Sequence, residues 1–149
     1  MERNIKIKMP ENVKMILDKI SGHGHEAVII GGCVRDSIME YTPHDWDIAT
    51  SAQPTEIIEI FKDFRIMTAG LKHGTVTIII DHEPYEITTY RVDGKYTDYR
   101  RHDTVSYTRN LAEDLLRRDF TINAIAYDGE NIIDLHDGIG DLQKGIIRC

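Results

Sequence analysis

The chain has 149 residues, 41% of them hydrophobic, and a formal net charge of −7. A chain of this length buries about 70% of its unfolded surface on folding, so a single compact domain over residues 1–149 is expected without disulfide or metal support. The acidic balance argues against a general nucleic-acid-binding surface, no apolar run approaches the ~18 residues of a membrane helix, and two widely separated cysteines favour a reduced, cytoplasmic setting.

The first third of the chain predicts a helix, a buried strand and a glycine turn. Apolar residues recur at helical spacing over residues 10–22 and predict a helix. Residues 26–30 are a short run rich in β-favouring residues and bounded by glycines, and they predict a buried strand. Gly31 and Gly32 follow, and residues 34–39 continue as one or two helical turns. Glycines between a strand and a helix allow close backbone approach, and the N–H groups of such a turn suit a phosphate.

The remaining elements predict an α/β (α+β) fold with a mixed or antiparallel sheet flanked by helices, because extended runs follow one another through short turns. The predicted strands span 45–49, 64–68, 75–80, 85–91 and 131–135, and the predicted helices span 54–61 and 111–118. Residues 92–110 show no clear period and are interpreted as a mobile loop. Residues 119–128 continue as a helix or as a helix-to-strand junction, and no terminal helix is expected after them.

Asp45 and Asp47 are candidate metal ligands and catalytic residues. On a strand, residues i and i+2 face the same way and lie about 6.6 Å apart along the chain, so the two carboxylates can converge on a divalent cation. Mg²⁺ prefers one or two carboxylates together with substrate phosphates. A single D-x-D pair is weak evidence, because aspartate is also common in turns. Glu86, on the predicted strand over 85–91, is a candidate third acid that faces the aspartates; the alternative is a solvated glutamate on an edge strand.

Gly31, Gly32 and Arg35 form a candidate nucleotide-binding site, together with the neighbouring Asp36. Backbone N–H groups and a guanidinium can hold triphosphate oxygens while a metal bridges them. The alternative for this segment is a tight strand-to-helix turn in which Arg35 pairs with Asp36.

The stretch R-R-D-F-T-I-N-A, residues 117–124, is a second candidate for nucleotide binding. Arg118 can reach phosphate, Asp119 can accept a hydrogen bond from a ribose hydroxyl, and Asn123 can bridge the two. The alternative is a charged helix end without a ligand.

Taken together, these motifs resemble the catalytic head of the bacterial-type (class II) tRNA nucleotidyltransferase and poly(A) polymerase family, a branch of the DNA-polymerase-β-like nucleotidyltransferase superfamily. GGCVRD followed by DWDIAT resembles the metal motif, and RRDFTINAIAYD resembles the motif that recognises ribose and phosphate. DLHDGIGDL, residues 134–142, resembles the hinge between head and neck. DGKYTDYRRHDTV, residues 93–105, resembles the flexible loop of the family. The resemblance covers nearly all of the chain from Glu26 onward.

The resemblance implies that Asp45 and Asp47 hold Mg²⁺ and that the chain transfers nucleotides from CTP or ATP to the 3′ end of tRNA. In the family, a neck domain follows the hinge and carries a Glu-Asp-x-x-Arg signature that selects the base. Residues 113–117 have that spacing here but precede RRDF, so they are interpreted as a look-alike. The chain is therefore expected to be a catalytic head whose neck and body come from a missing C-terminal region or a partner chain.

Three alternatives stay open at this point. Poly(A) polymerases and enzymes that add only CC or only A use the same chemistry. A nucleotide- and metal-binding module that is inactive alone is an alternative of another class. A metal-dependent phosphohydrolase is disfavoured, because no water-activating base is evident in the sequence.

Overall fold

The computed structural model of the protein describes residues 5–93, 105–118, 120–145 and 147–148. Its helices are α1 (Glu11–Gly22), α2 (Gly32–Ile38), α3 (Pro54–Ile60), α4 (Leu111–Leu116) and α5 (Gly138–Gln143). Its strands are β1 (Ala27–Ile30), β2 (Asp47–Thr50), β3 (Arg65–Met67), β4 (Thr75–Ile80), β5 (Glu83–Thr89), β6 (Arg91–Asp93), β7 (Val105–Tyr107), β8 (Ala126–Tyr127) and β9 (Ile132–Ile133). Short 3₁₀ turns span Leu71–His73 and Thr121–Asn123. Within the described ranges, no helix is both long and apolar enough to cross a membrane.

The strands form a mixed sheet and a separate hairpin. In the seven-stranded sheet the order is β3-β4-β5-β2-β1-β8-β9. β2 runs parallel to β5, and the other neighbouring strands of this sheet are antiparallel. The hairpin consists of β6 and β7. The predicted α/β fold with a mixed sheet flanked by helices is confirmed.

Apolar layers cover both faces of the sheet. Side chains alternate between the faces of a strand, so β1 presents Ile29 to one layer and Val28 and Ile30 to the other. In the second layer, Leu115 of α4 packs with Tyr90. The helices α1 and α3 cover the first layer through apolar residues at helical spacing, namely Val13, Ile16, Leu17, Ile20, Ile57 and Ile60. Because both faces of β1 are buried, the strand is apolar at every position.

The strand predicted over 45–49 begins two residues later in the structure. β2 starts at Asp47, and the pair nearest to this end joins Ile48 to Ile29 of β1. Asp45 lies before the first residue of β2, so the prediction that it belongs to this strand is wrong. Strand alternation therefore does not by itself place both aspartates on one face, although their charges interact, as shown below.

The predicted strand over 85–91 is divided between the sheet and the hairpin. β5 ends at Thr89, and Tyr90, which is fully buried, separates it from β6. The interpretation of residues 92–110 as a mobile loop is wrong at its ends, because β6 and β7 pair there through backbone hydrogen bonds. Residues 94–104, most of the stretch that resembles the flexible loop, lie outside the described residues.

The expectation of no terminal helix is wrong, because α5 forms over the hinge-like motif. Oδ1 of Asp134 accepts a hydrogen bond from the Gly138 N–H at 2.6 Å, and Oδ2 accepts one from the Ile139 N–H at 3.0 Å. These bonds satisfy N–H groups of the first turn, which a helix leaves unpaired. An ordinary capping residue directly precedes the helix. Here the capping carboxylate lies four residues before Gly138, so the local pattern does not reveal it.

Candidate active site

The candidate site lies at one end of the sheet, where β1 ends and β2 begins. Because β1 and β2 are antiparallel and Ile29 pairs with Ile48, the turn at Gly31 lies beside Asp47. β5 runs parallel to β2, and Glu86 lies directly opposite Asp47 in that pairing. Neighbouring strands lie about 4.8 Å apart. The two candidate catalytic residues Glu86 and Asp47 are therefore neighbours on paired strands.

Gly31 makes the turn between β1 and α2 in a conformation that favours glycine, with φ of +83°. Its carbonyl oxygen accepts hydrogen bonds from the N–H groups of Val34 and Arg35, each at 3.1 Å. A Cβ placed on Gly31 would lie 3.7 Å from Nη1 of Arg118 and 4.0 Å from the carbonyl oxygen of Asn123. The turn therefore lies against the second predicted nucleotide-binding segment.

Arg35 connects the glycine turn to Asn123. Its Nη1 donates to Oδ1 of Asn123 at 2.9 Å, and its Nε donates to Oδ1 of Asp36 at 3.0 Å. A Cβ on Gly32 would lie 3.3 Å from Nη2 of Arg35, so the guanidinium lies over the turn. The pair between Arg35 and Asp36, which was the alternative interpretation of this segment, is thus present together with the contact between Arg35 and Asn123. The Arg35 side chain is 31% exposed and remains accessible to a bound group.

Arg118 is anchored by Asp114, which the sequence indicated only as part of the look-alike signature over residues 113–117. Nη2 of Arg118 donates to Oδ2 of Asp114 at 3.3 Å, and Nε of Arg117 donates to Oδ1 at 3.3 Å. Burial lowers the pKa of Arg118, whereas the negative charges of Asp114 and Asp47 raise it. The signal for Asp114 in the sequence is its spacing, because positions i+3 and i+4 of a helix are neighbours of position i. Asp119 lies outside the described residues, and its contact with ribose stays a prediction.

Asp47 interacts electrostatically with both Asp45 and Arg118. Burial raises the pKa of Asp47, the positive charge of Arg118 opposes the rise, and the negative charge of Asp45 adds to it. Asp47 nevertheless remains accessible to solvent, so the surrounding protein desolvates its carboxyl group only in part. Among the described residues, no group of three or more His, Cys, Asp and Glu side chains could hold a metal ion. Asp45 and Asp47 stay candidates for holding a divalent cation together with substrate phosphates, and a role for Glu86 stays a prediction.

The turn that carries Asn123 is supported by α5. Oγ1 of Thr121 donates to Oδ2 of Asp141 at 2.6 Å, and Nε of Arg148 donates to the same oxygen at 3.2 Å. These hydrogen bonds, with the bond from Thr121 the larger influence, lower the pKa of Asp141. A Cβ on Gly138 would overlap the carbonyl oxygen of Thr121, so the backbones of α5 and the turn are in direct contact. The hinge-like motif therefore supports the turn that carries Asn123.

The sequence matches a known family along most of its length. A family profile described as the poly(A) polymerase head domain matches residues 27–148. The chain belongs to this family. The resemblance drawn from the glycine, aspartate and R-R-D motifs is confirmed, whereas a single domain over the whole of residues 1–149 stays a prediction.

Curated relatives of the head domain are CCA-adding enzymes. That of Lactobacillus johnsonii is 53% identical over 135 residues, which cover 90% of this chain and 33% of that enzyme. That of Limosilactobacillus reuteri is 51% identical over 141 residues, which cover 93% of this chain and 34% of that enzyme. The chain thus spans about a third of the length of the curated relatives it matches.

Solved structures match the head domain in the same way. The crystal structure of the Bacillus stearothermophilus CCA-adding enzyme in complex with CTP matches with a TM-score of 0.81 and 38% identity, over 94% of this chain and 34% of that one. A tRNA nucleotidyltransferase complexed with a primer tRNA and an incoming ATP analog matches with a TM-score of 0.68 and 28% identity, over 90% of this chain and 38% of that one. The observed fold is therefore that of part of a CCA-adding enzyme.

Cys33 lies next to Asp47 in the head domain. Its Sγ donates to the carbonyl oxygen of Ile30 at 3.4 Å. Burial raises the pKa of Cys33 from 9.0 to about 11, while the N–H of Asp47 lowers it and the charge of the Asp47 carboxylate raises it. At neutral pH the thiol is therefore protonated, and Cys33 packs as a small apolar side chain.

The raised pKa of Cys33 is expected to make the head domain less stable as the pH rises from 9 to 11. Unfolding releases a thiol with an ordinary pKa, so ionisation favours the unfolded chain in this window, by about 2 to 3 kcal/mol of unfolding free energy for two pKa units. Urea unfolding across the window, compared with Cys33→Ala, isolates this contribution, because the other titrating groups are common to both proteins. Equal losses of stability in the two proteins would contradict the expectation.

Proposed function

We propose that this head domain catalyses nucleotidyl transfer from CTP and ATP to the 3′ end of tRNA, the CCA addition for which its curated relatives are named. The observation that carries the proposal is that Asp47, the Gly31 turn and the guanidinium of Arg118 meet at one end of the sheet. A carboxylate pair and an arginine beside a glycine turn suit a triphosphate, whose negative charge must be neutralised during transfer.

Asp45 and Asp47 hold Mg²⁺ in this proposal. When bound, Mg²⁺ activates the attacking 3′-hydroxyl and neutralises charge on the triphosphate and the leaving pyrophosphate. Two carboxylates suffice for this, since Mg²⁺ commonly completes its coordination with substrate phosphates and water. Glu86 is proposed as an acidic catalytic residue beside Asp47, supported by their direct pairing across β5 and β2, and not as a third metal ligand, because the three acids, all among the described residues, do not form a metal-binding group.

The nucleotide is held by groups on both sides of the glycine turn. Arg118 and Arg35 bind phosphate oxygens as charge-assisted donors. Gly31 and Gly32 leave room for the triphosphate because they carry no Cβ. Asn123 orients Arg35 through its hydrogen bond.

Two candidate residues complete the nucleotide site. Asp36 orients Arg35 from the side opposite Asn123 through its own hydrogen bond. Asp119 accepts a hydrogen bond from the ribose hydroxyl, so ribonucleotides are preferred.

A second candidate function is a nucleotide- and metal-binding module that is inactive alone. This function is favoured because the chain spans about a third of the length of its curated relatives. The tRNA is then held by a missing C-terminal region or by a partner chain. A cytoplasmic location is part of the proposal and is supported by the free thiol of Cys33.

The proposed function is tested by measuring the incorporation of labelled CTP and ATP, with and without Mg²⁺. The acceptors are tRNA transcripts that end before the first C, before the second C and before A. We expect Mg²⁺-dependent incorporation in the order C, C, A. Repeated addition of A would favour a poly(A) polymerase. Triphosphate binding without incorporation would favour the inactive module, and release of product from CTP without RNA would favour a phosphohydrolase.

A further inference from the structure

Asp114 is a buried carboxylate surrounded by hydrogen-bond donors. Its side chain is only 1% exposed. Oδ1 accepts from the backbone N–H of Arg91 at 3.0 Å and from Nε of Arg117 at 3.3 Å, and Oδ2 accepts from Nη2 of Arg118 at 3.3 Å. A buried charge is stable only when it is paired and hydrogen-bonded in this way.

The local structure of α4 sets this geometry. Asn110 caps the helix by accepting from the Ala112 N–H at 2.9 Å. The Arg118 N–H donates to the carbonyl oxygen of Leu115 at 3.2 Å, so the chain keeps a helical turn beyond the last residue of α4. Asp114 and Arg118 consequently stand at positions i and i+4, which face each other.

Arg118 presents different edges of its guanidinium to different neighbours. Nη2 is held by Asp114, whereas Nη1 lies beside the Gly31 turn. Nε is buried, and within the described ranges it has no hydrogen-bond partner. The side chain is 20% exposed, and its hydrogen bond to Asp114 restrains the guanidinium.

A competing partner for the guanidinium is close by. Asp47 is the other carboxylate whose charge acts on Arg118. Opposite charges attract strongly in a partly buried site. Without the anchor at Nη2, Arg118 is therefore expected to pair with Asp47, so that its guanidinium is no longer free for a phosphate.

We propose that Asp114 is a positioning residue that holds the Arg118 guanidinium against the Gly31 turn, where its free edge binds a phosphate of the nucleoside triphosphate. Asp114 touches neither substrate nor metal and acts through Arg118. This inference rests on the proposed function, because it requires triphosphate binding at this site.

A double-mutant cycle on the 149-residue chain tests the proposal. The variants are Asp114→Asn, Arg118→Ala and the double variant, and the dissociation constant of labelled CTP with Mg²⁺ is measured for each. Asp114→Asn is expected to weaken CTP binding roughly tenfold, as for loss of a charge-assisted hydrogen bond. The double variant is expected to bind no more weakly than Arg118→Ala, because Asp114 acts through Arg118. Additive losses, or wild-type affinity in Asp114→Asn, would overturn the proposal.

The control variant is Glu56→Gln. Glu56 also accepts from a backbone N–H, that of Gln53, and also pairs with an arginine, Arg109, but it lies on α3 away from the glycine turn. Its CTP affinity is expected to stay within about twofold of wild type, the size of effect for a surface pair. Loss of CTP binding in Glu56→Gln as large as that in Asp114→Asn would assign the effect to general destabilisation.

A further variant covers the case in which Asp114→Asn does not fold. Arg118→Lys leaves Asp114 in place but replaces the forked guanidinium with one ammonium group, which cannot bridge the carboxylate and a phosphate in the same way. About tenfold weaker CTP binding is expected. Wild-type affinity in Arg118→Lys would overturn the bridging role, whereas failure of the wild-type chain to bind CTP would reject the proposed function itself.

Discussion

Replacing Asp45 or Asp47 with alanine is expected to lower Mg²⁺-dependent nucleotide transfer by about a thousandfold or more, because each change removes a carboxylate proposed to hold the metal. The fold is expected to remain. Burial and the charge of Asp45 raise the pKa of Asp47, so the ionised Asp47 carboxylate is held at a cost to stability at neutral pH. Incorporation of labelled CTP onto tRNA, together with circular dichroism and thermal unfolding, measures both effects.

Asp63→Ala is the matched control for these variants. Asp63 is exposed on the surface after α3, so its loss removes the same charge from the chain without touching the site. It is expected to retain wild-type transfer. Mg²⁺-dependent transfer that survives in Asp45→Ala or Asp47→Ala at the wild-type rate would reject the assignment of these residues to the metal.

Gly138→Ala is expected to cause the largest loss of stability, about 3 kcal/mol of unfolding free energy, because an overpacked buried position forces backbone shifts. The added Cβ would overlap the carbonyl oxygen of Thr121 and lie 2.8 Å from Cγ1 of Ile125. The first of these neighbours is backbone, so it cannot rotate away. Urea unfolding of the variant measures the loss. Movement of α5 away from the turn is also expected to disturb the hydrogen bond between Asn123 and Arg35.

Gly22→Ala controls for the effect of any glycine-to-alanine change. A Cβ on Gly22 at the end of α1 meets no atom within 4 Å. Alanine there is expected to be neutral or to stabilise by up to about 1 kcal/mol, because it restricts the unfolded chain. Equal unfolding free energies for Gly138→Ala and Gly22→Ala would contradict the direct contact between α5 and the turn.

The elements read correctly from the sequence are those whose signal is local. β4 spans residues 75–80 as predicted, because its β-branched residues favour a strand whatever it pairs with. α1 and α3 match within one or two residues, since their apolar residues repeat at helical spacing. The glycine, aspartate and R-R-D motifs were sufficient to predict the family, because their order and spacing along the chain carry that information.

The assembly of the site depends on contacts between distant residues, and no local pattern encodes these. The pairing of Asp47 with Glu86 follows from the parallel alignment of β2 and β5. The bond between Arg35 and Asn123 joins residues 88 positions apart. Asp134 caps α5 from four residues before Gly138, outside the position where a capping residue is usually found. The sequence therefore did not predict this helix.

The sequence by itself therefore determined the family, the main helices and strands, and most of the candidate residues. Only the tertiary structure decided that β1, β2 and β5 bring them to one end of the sheet, that α5 supports the turn at Asn123, and that Asp114 holds Arg118. The physical reason is that helix and strand propensities act over a few neighbouring residues. The burial of a charge, by contrast, depends on every segment that packs around it.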